Sequence, residues 1–327
     1  MASPFEDLFP VVPSAVRVMA GSASVFLHHD AVRPAIEKWG FMMQTAQGWM
    51  HPCHYFDGGE KTLQWIFVLD VLNQSFWPDT GETRWSVPYA GSSCSGYWGL
   101  AAALKRAVEE GVPIINPSFL MNLERADLRR VFSGEGEIPL FEERLRILRE
   151  AGRVMEEAWG GRIVHLLESA GGSAVLAVKK VVESFPSFRD EAMYGGEKVL
   201  FWKRAQLFVA DVHAAFSGRG PGEFADIDDL TVFADYKLPQ VLRELGIISY
   251  HATLAEKVDS CRVLVPGCGE EVEIRAATIC AAEALRDAFC GREPNVNAIR
   301  VDNWLWRLGQ LDEFRRKPYH RCRTIYY

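Results

Sequence analysis

No two cysteines in this chain stand at CxxC spacing. Its seven thiols, Cys53, Cys94, Cys261, Cys268, Cys280, Cys290 and Cys322, are odd in number and scattered. Neither a zinc ribbon nor a disulfide scaffold fits that pattern, and reduced thiols in a cytosol do. A basic field is missing as well. Net charge is −7, from 36 Lys and Arg against 43 Asp and Glu, the wrong sign for a general duplex nucleic-acid binder. The most apolar stretch, residues 65–77, is too short to span a bilayer and contains Asp70 and Asn73. The opening MASPFEDLFPVVPS has acids and prolines where a secretory leader needs a basic start and an apolar run. Internal repeats, low-complexity segments and heptads are absent, as are HExxH, a paired Cys–His set and an acid-rich metal loop. The expectation is a cytoplasmic monomer with no metal or cofactor, no stable nucleic-acid partner and no membrane anchor, acting on a small molecule.

What is present is apolar and aromatic. Of 327 residues, 48% are hydrophobic and ten are Trp, enough to bury a large core. One globular domain over 1–327 is expected, with SGRGPG at 217–222 between lobes 1–216 and 223–327. The first thirty residues read as a capping arm in which Pro10 and Pro13 break any early helix. A helical pattern runs over 31–45. GWMHPCHYFDGG then forms a loop carrying His51 and His54. TLQWIFVLDVLNQSFW is apolar on nearly every side, as central helices are, with Asp70, Asn73 and Trp77 at helical spacing. Further helices are expected over 92–111 with Ser95 as N-cap, 120–132, 140–159, 173–185, 196–218, 273–288 and 299–310. On the 196–218 helix, Arg204 and Asp211 share a side and are expected to pair. Extended segments are few, near 262–265 and Ile114. The class is mainly α, multi-helical with few short strands.

Two acids stand out. In TVFADYKLPQVLRELGIISY, Asp235 lies between Phe233 and Tyr236, ahead of a short helix with Pro239 in its first turn and Gly246 past its end. Either Asp235 caps that helix, or it accepts from the edge of a flat ligand whose face an aromatic covers. In VDNWLWRLGQ, Asp302, Trp306 and Gly309 project to one side at 100° per residue, so Asp302 sits on an apolar face where an unpaired carboxylate is costly. A cation such as Arg275 or Arg300 pairs with it, or it serves chemistry. One acid to grip a ring and one to act on a bond suit cleavage of a base from a sugar. Breaking an N-glycosidic bond builds positive charge at the anomeric carbon, which a carboxylate stabilises or attacks.

HPCHYFDG, WIFVLDVLNQSFWPD, GYWGLAAALKRAVEEG, KRAQLFVADV, FADYKLPQVLRELGIISY, EVEIRAATICAAE, VDNWLWRLGQ and KPYHRCRTIYY follow one another in order. With them the chain resembles, over about 49–327, the queuosine salvage family of queuosine 5′-phosphate N-glycosylases. The resemblance implies a helical fold similar to helix-hairpin-helix DNA glycosylases and release of queuine, a 7-deazaguanine base, for salvage into tRNA modification. It puts Asp302 at the catalytic acid, Phe233 and Asp235 at the base, and His51 and Asn303 at ligand contacts. Arg307 stands where the family often has an acid, Lys237 where it has Arg, and Gln74 where it has Phe, so contacts to the ring substituent or the phosphate are expected to differ. Lys203 is a candidate phosphate contact, against a solvated lysine. Tyr97 and Trp98 either stack on a base or belong to the core. Alternatives to the hydrolase are a DNA or RNA base glycosylase and a non-catalytic queuine carrier.

Overall fold

The computed structural model describes residues 9–43, 49–79, 81–293 and 295–327. Helices dominate it: α1 (Val11–Ala20), α2 (Val32–Trp39), α3 (Glu60–Val71), α4 (Gly96–Glu109), α5 (Pro117–Met121), α6 (Arg125–Val131) and α7 (Phe141–Trp159). After them come α8 (Ile163–Ser169), α9 (Ala174–Ser184), α10 (Lys203–Ala215), α11 (Lys237–Glu244), α12 (Ala252–Asp259), α13 (Gly269–Cys290) and α14 (Ala298–Leu308). The strands are short and form two-stranded pairs only. β1 (Val25–Leu27) runs antiparallel to β6 (Ile248–Tyr250), β2 (Ser86–Tyr89) to β3 (Ser92–Ser95), and β4 (Glu191–Tyr194) to β5 (Glu197–Leu200), while β7 (Val263–Leu264) runs parallel to β8 (Arg321–Cys322). The mainly α expectation holds.

The helices gather around two axes. α3 is buried from Thr62 to Val71 and packs against α4, α7, α8 and α10. α13 packs against α1, α2, α11 and α14. A single apolar cluster runs through both groups, from Phe67 and Phe208 on one side to Ile274 and Trp304 on the other. The space left between the groups becomes the site.

Several local expectations need correction. Pro10 and Pro13 do not prevent an early helix: Pro10 is the N-cap of α1 and Pro13 lies in its first turn, where no backbone N–H has an intrahelical partner to lose. The helix expected over 31–45 ends at Trp39 and tightens into a 3-10 turn at Gly40–Met43, and its last two residues lie outside those described. α3 stops at Val71, so Asp70, Asn73 and Trp77 do not share one helical face. The 196–218 helix begins only at Lys203, because Glu197–Leu200 pairs as β5 and Trp202 takes a left-handed φ of 49°. The stretch 120–132 is split between α5 and α6, and Ile114 lies in a turn rather than a strand.

The end of α3 has a cause far away in sequence. Arg144 of α7 is fully buried and donates to the carbonyls of Leu72, Gln74 and Ser75, the last at 3.2 Å. Arg204 of α10, also buried, donates to the carbonyls of Val71, Ser187 and Asp70, the last at 3.3 Å. The last carbonyls of a helix lack intrahelical partners, and here two guanidinium groups supply them. Arg204 is therefore engaged with backbone and does not pair with Asp211. Ser75, at φ 35°, then turns the chain, its N–H donating to the Tyr327 carbonyl at 2.9 Å.

Candidate active site

A cavity of about 1100 Å³ opens between the two helical groups. Its wall is built from the 49–54 loop, the 73–77 turn, the start of α4, one side of α10, the entry to α11 and one side of α14. All seven residues expected in the site, His51, Lys203, Phe233, Asp235, Asp302, Asn303 and Arg307, line it.

Asp302 is set by α14, whose N-terminus is fixed by Asn297: its side chain accepts from Arg300 N–H at 3.0 Å and donates to Asp228 at 2.6 Å. The Asp302 side chain is 6% exposed, and its Oδ1 accepts from the Phe233 backbone N–H at 2.9 Å. Neither cation expected beside it is there. Arg275 forms a bidentate pair with Asp190 at 2.8 and 2.6 Å, and Arg300 donates to the Asn295 carbonyl and faces Glu293. Burial pushes the Asp302 carboxyl from 3.8 up to about 8; the Asp235 charge adds to this, while the Phe233 N–H and Lys203 oppose it.

Asp235 caps the helix and also faces the cavity. Its Oδ1 accepts from Lys237 N–H at 2.7 Å and Leu238 N–H at 3.1 Å, closing the first turn of α11, and the same carboxylate lines the cavity. Arg275 supports this stretch from behind, donating to the Ala234 carbonyl at 3.1 Å while its guanidinium lies over the Phe201 and Tyr327 rings. The backbone between Phe233 and Asp235 is thereby held at both ends.

The two histidines separate cleanly. His54 is consumed by structure, with Nδ1 at 2.6 Å from the Trp49 carbonyl and Nε2 at 2.8 Å from the Tyr97 hydroxyl, and burial lowers it to about 4. His51 stacks on Trp98 at 3.6 Å, and its Nδ1 accepts from Cys53 N–H at 3.2 Å. That bond fixes a neutral ring with the proton on Nε2, and burial with the Lys105 charge pushes its pKa down in the same sense.

Lys203 is not a solvated lysine. It is 5% exposed, and Nζ donates to the Asn73 carbonyl at 3.1 Å. Burial lowers its pKa against the pull of the Asp235, Asp70 and Asp302 charges. Asn303 is exposed within the cavity mouth, and Arg307, one turn further along α14, donates to the Met42 carbonyl at 3.2 Å. Tyr97 and Trp98 line the cavity rather than the core alone, and Trp98 also meets Trp306 edge-on at 6.0 Å. The cavity also takes in Trp306, placed on the Asp302 face but given no role, Asp211, expected only as a partner of Arg204, Lys237, noted only as a departure from the family, and Arg84 and Arg315, which were not singled out. Burial, with Arg315 and Arg84 close by, brings the Lys237 ammonium down to about 8. The i, i+4 spacing of Asp302 and Trp306 was the available signal for that ring; nothing local marked the others.

A mainly α-helical protein with a deep cavity, aromatic on its faces and lined by three acids, is the class that fold and site define. The chain belongs to the queuosine salvage protein family, whose match covers residues 53–327. A protein of Sphaerobacter thermophilus named queuosine 5′-phosphate N-glycosylase/hydrolase is 46% identical over 327 residues, covering 100% of both chains. Proteins of the same name from Mus musculus and Schizosaccharomyces pombe are each 35% identical, covering 96% and 87% of this chain and 97% and 88% of their own.

Proposed function

We propose that this protein hydrolyses the N-glycosidic bond of queuosine 5′-phosphate, releasing queuine for salvage into tRNA modification and leaving ribose 5-phosphate. The observation that carries the reading is Asp302, a buried carboxyl with no salt-bridge partner among the described residues, held by the Phe233 N–H in the same cavity as Asp235. Full-length similarity to relatives bearing that name supports it.

In this reading the base lies flat beside Phe233, its N–H and amino edge donating to Asp235. Its other contacts come from the neutral His51 and from Asn303 and Arg307. Lys203 sits behind the acids and keeps Asp302 within reach of its ionised form. The C1′–N bond breaks with its electron pair leaving on the base, and the sugar carbon becomes cationic. Ionised Asp302 stabilises that cation, or attacks it and is displaced. Water then bonds to C1′ and loses a proton, and the base nitrogen gains one. An Asp302 that is mostly neutral in the empty cavity ionises most readily when positive charge develops beside it.

The reading extends to a cytoplasmic monomer acting on the free nucleotide, without stable nucleic-acid or membrane partners. The net charge of −7 supports it, and among the described residues no helix is long and apolar enough to cross a membrane. The test is incubation of purified protein with queuosine 5′-phosphate, following free base by chromatography. Wild type should release queuine and Asp302→Asn should not, while still binding the nucleotide. Equal release by both proteins would remove Asp302 from the chemistry, and binding without release by wild type would point to a carrier.

A further inference from the structure

α10 presents Lys203, Leu207, Ala210, Asp211 and Ala214 to the cavity, a stripe at helical spacing with two polar members. Lys203 is accounted for above, and Asp211 is not. Its Oδ2 is buried and has no hydrogen-bond partner among the described residues. The basic groups nearest in sequence are engaged elsewhere, Arg204 with the carbonyls of Asp70, Val71 and Ser187 and Lys203 with that of Asn73. Around Asp211 stand the carboxyls of Asp70 and Asp302 and the Tyr97 phenol. Burial and these two acids hold its carboxyl well above the usual carboxylate range, with Lys203 opposing.

An ionised Asp211 would put a charge in a buried setting beside the carboxyls of Asp70 and Asp302, with only Lys203 opposing the cost, so it sits in the cavity as a carboxylic acid with an O–H to donate. A buried donor without an acceptor is costly, and such groups are satisfied by a ligand when they line a site. Its position selects which part of a nucleotide. Asp211 lines the cavity from α10 and interacts electrostatically with Asp302, the acid that the reading above sets against the sugar carbon. Sugar hydroxyl oxygens are the acceptors available there.

We propose that Asp211 is a further substrate-binding group, donating from its carboxylic acid O–H to a hydroxyl oxygen of the bound ribose. This rests on the reading above for the nucleotide. It assigns Asp211 a role opposite in charge to Asp302, and the two acids respond oppositely to the same substitution. Asparagine keeps a neutral donor at 211, whereas at 302 it removes the needed charge.

The experiment compares wild type, Asp211→Asn and Asp211→Leu for kcat and KM on queuosine 5′-phosphate and for thermal midpoint. Asp211→Asn should stay within about 3-fold of wild type, and Asp211→Leu should lose about 10- to 100-fold in kcat/KM, chiefly through KM, with an unchanged or higher midpoint. Should the leucine variant not fold, Asp211→Ala is read the same way. Asn and Leu variants impaired alike would show that the group works ionised and overturn the proposal. Wild-type kinetics in both with a lowered midpoint would also overturn it, making Asp211 a structural partner of Asp70. A wild type that releases no base sinks the functional reading instead. Calorimetric titration of ribose 5-phosphate then decides: wild type and Asn binding alike with Leu weakened supports the donor, and equal binding or none overturns it.

Discussion

Asp302 carries a cost that can be read in the pH dependence of stability. Its folded pKa, about 8, lies above the ordinary 3.8, so between those values the folded chain holds a proton that the unfolded chain has lost. Stability from this group is therefore present at acid pH and falls as pH rises through the window up to about 8. Asp302→Asn removes that slope. Thermal unfolding at pH 8.5 should find the variant more stable than wild type by at least about 1 kcal/mol, with little difference at pH 4.5. A lower midpoint at pH 8.5 would count against a buried, uncompensated carboxylate. On the proposed mechanism the ionised acid does the work, so kcat/KM on queuosine 5′-phosphate should climb with pH, reach half its plateau near 8 and level off above it. Asp235 allows a different dissection at the same scale. Its Oδ1 caps α11, a role asparagine keeps; the negative charge toward the base is what asparagine loses. Asp235→Asn should raise KM by about 10- to 100-fold, the worth of a charged hydrogen bond at 1.5–3 kcal/mol, with a near-normal midpoint. Asp235→Ala should add about 0.5–2 kcal/mol of destabilisation from the lost cap.

Among the elements, what could be read from the chain depended on how far away its causes lay. The start and stop of α11 were legible because Pro239 and Gly246 act within one turn. Ser173 announced α9 in the same way, its hydroxyl accepting from Leu176 N–H at 3.1 Å. The C-terminus of α3 was not legible, since the arginines that take its carbonyls come from α7 and α10. The same distance hid the fate of Arg204, whose helical spacing to Asp211 suggested a pair that tertiary carbonyls outcompete. Asp302 and Asp235 were legible as acids in aromatic settings, whereas Asp211 stayed hidden because its helical spacing to Arg204 suggested an ion pair, although Lys203, two turns earlier on α10, already pointed that helix at the site. The arginine clamp makes a prediction of its own. Arg144→Met leaves the carbonyls of Gln74 and Ser75 without the arginine's N–H groups and strips one of two donors from that of Leu72, and should destabilise by about 3 kcal/mol or more in denaturant titration. Hydrogen exchange should quicken over 73–77 before the rest of the chain opens. Uniform exchange in the variant would show that the turn holds itself.

For the whole molecule, the cavity joins two helical groups with distinct axes, so a ligand that touches α10 and α14 together ties them. Binding should raise the thermal midpoint with concentration, by the equivalent of about 2.7 kcal/mol at a hundred times Kd, and the Asp302→Asn variant permits this measurement without turnover. No rise with saturating queuosine 5′-phosphate would mean that the nucleotide does not bind the folded chain.

The bonds that assemble the cavity span long stretches of chain: Phe233 to Asp302 across 69 residues, Lys203 to Asn73 across 130, and Ser75 to Thr324 across 249. Each is a loop whose ends must meet before the wall exists, and the entropy of those closures places the site late in folding. A nascent chain on the ribosome can form α3 and its neighbours, yet Ser75 has no Thr324 and Phe233 no Asp302 to meet until residues 302–327 have emerged. Before that stretch is made, the acid at 302 and the partner of the Ser75 turn are both missing, so the wall comes together only when residues 302–327 join it.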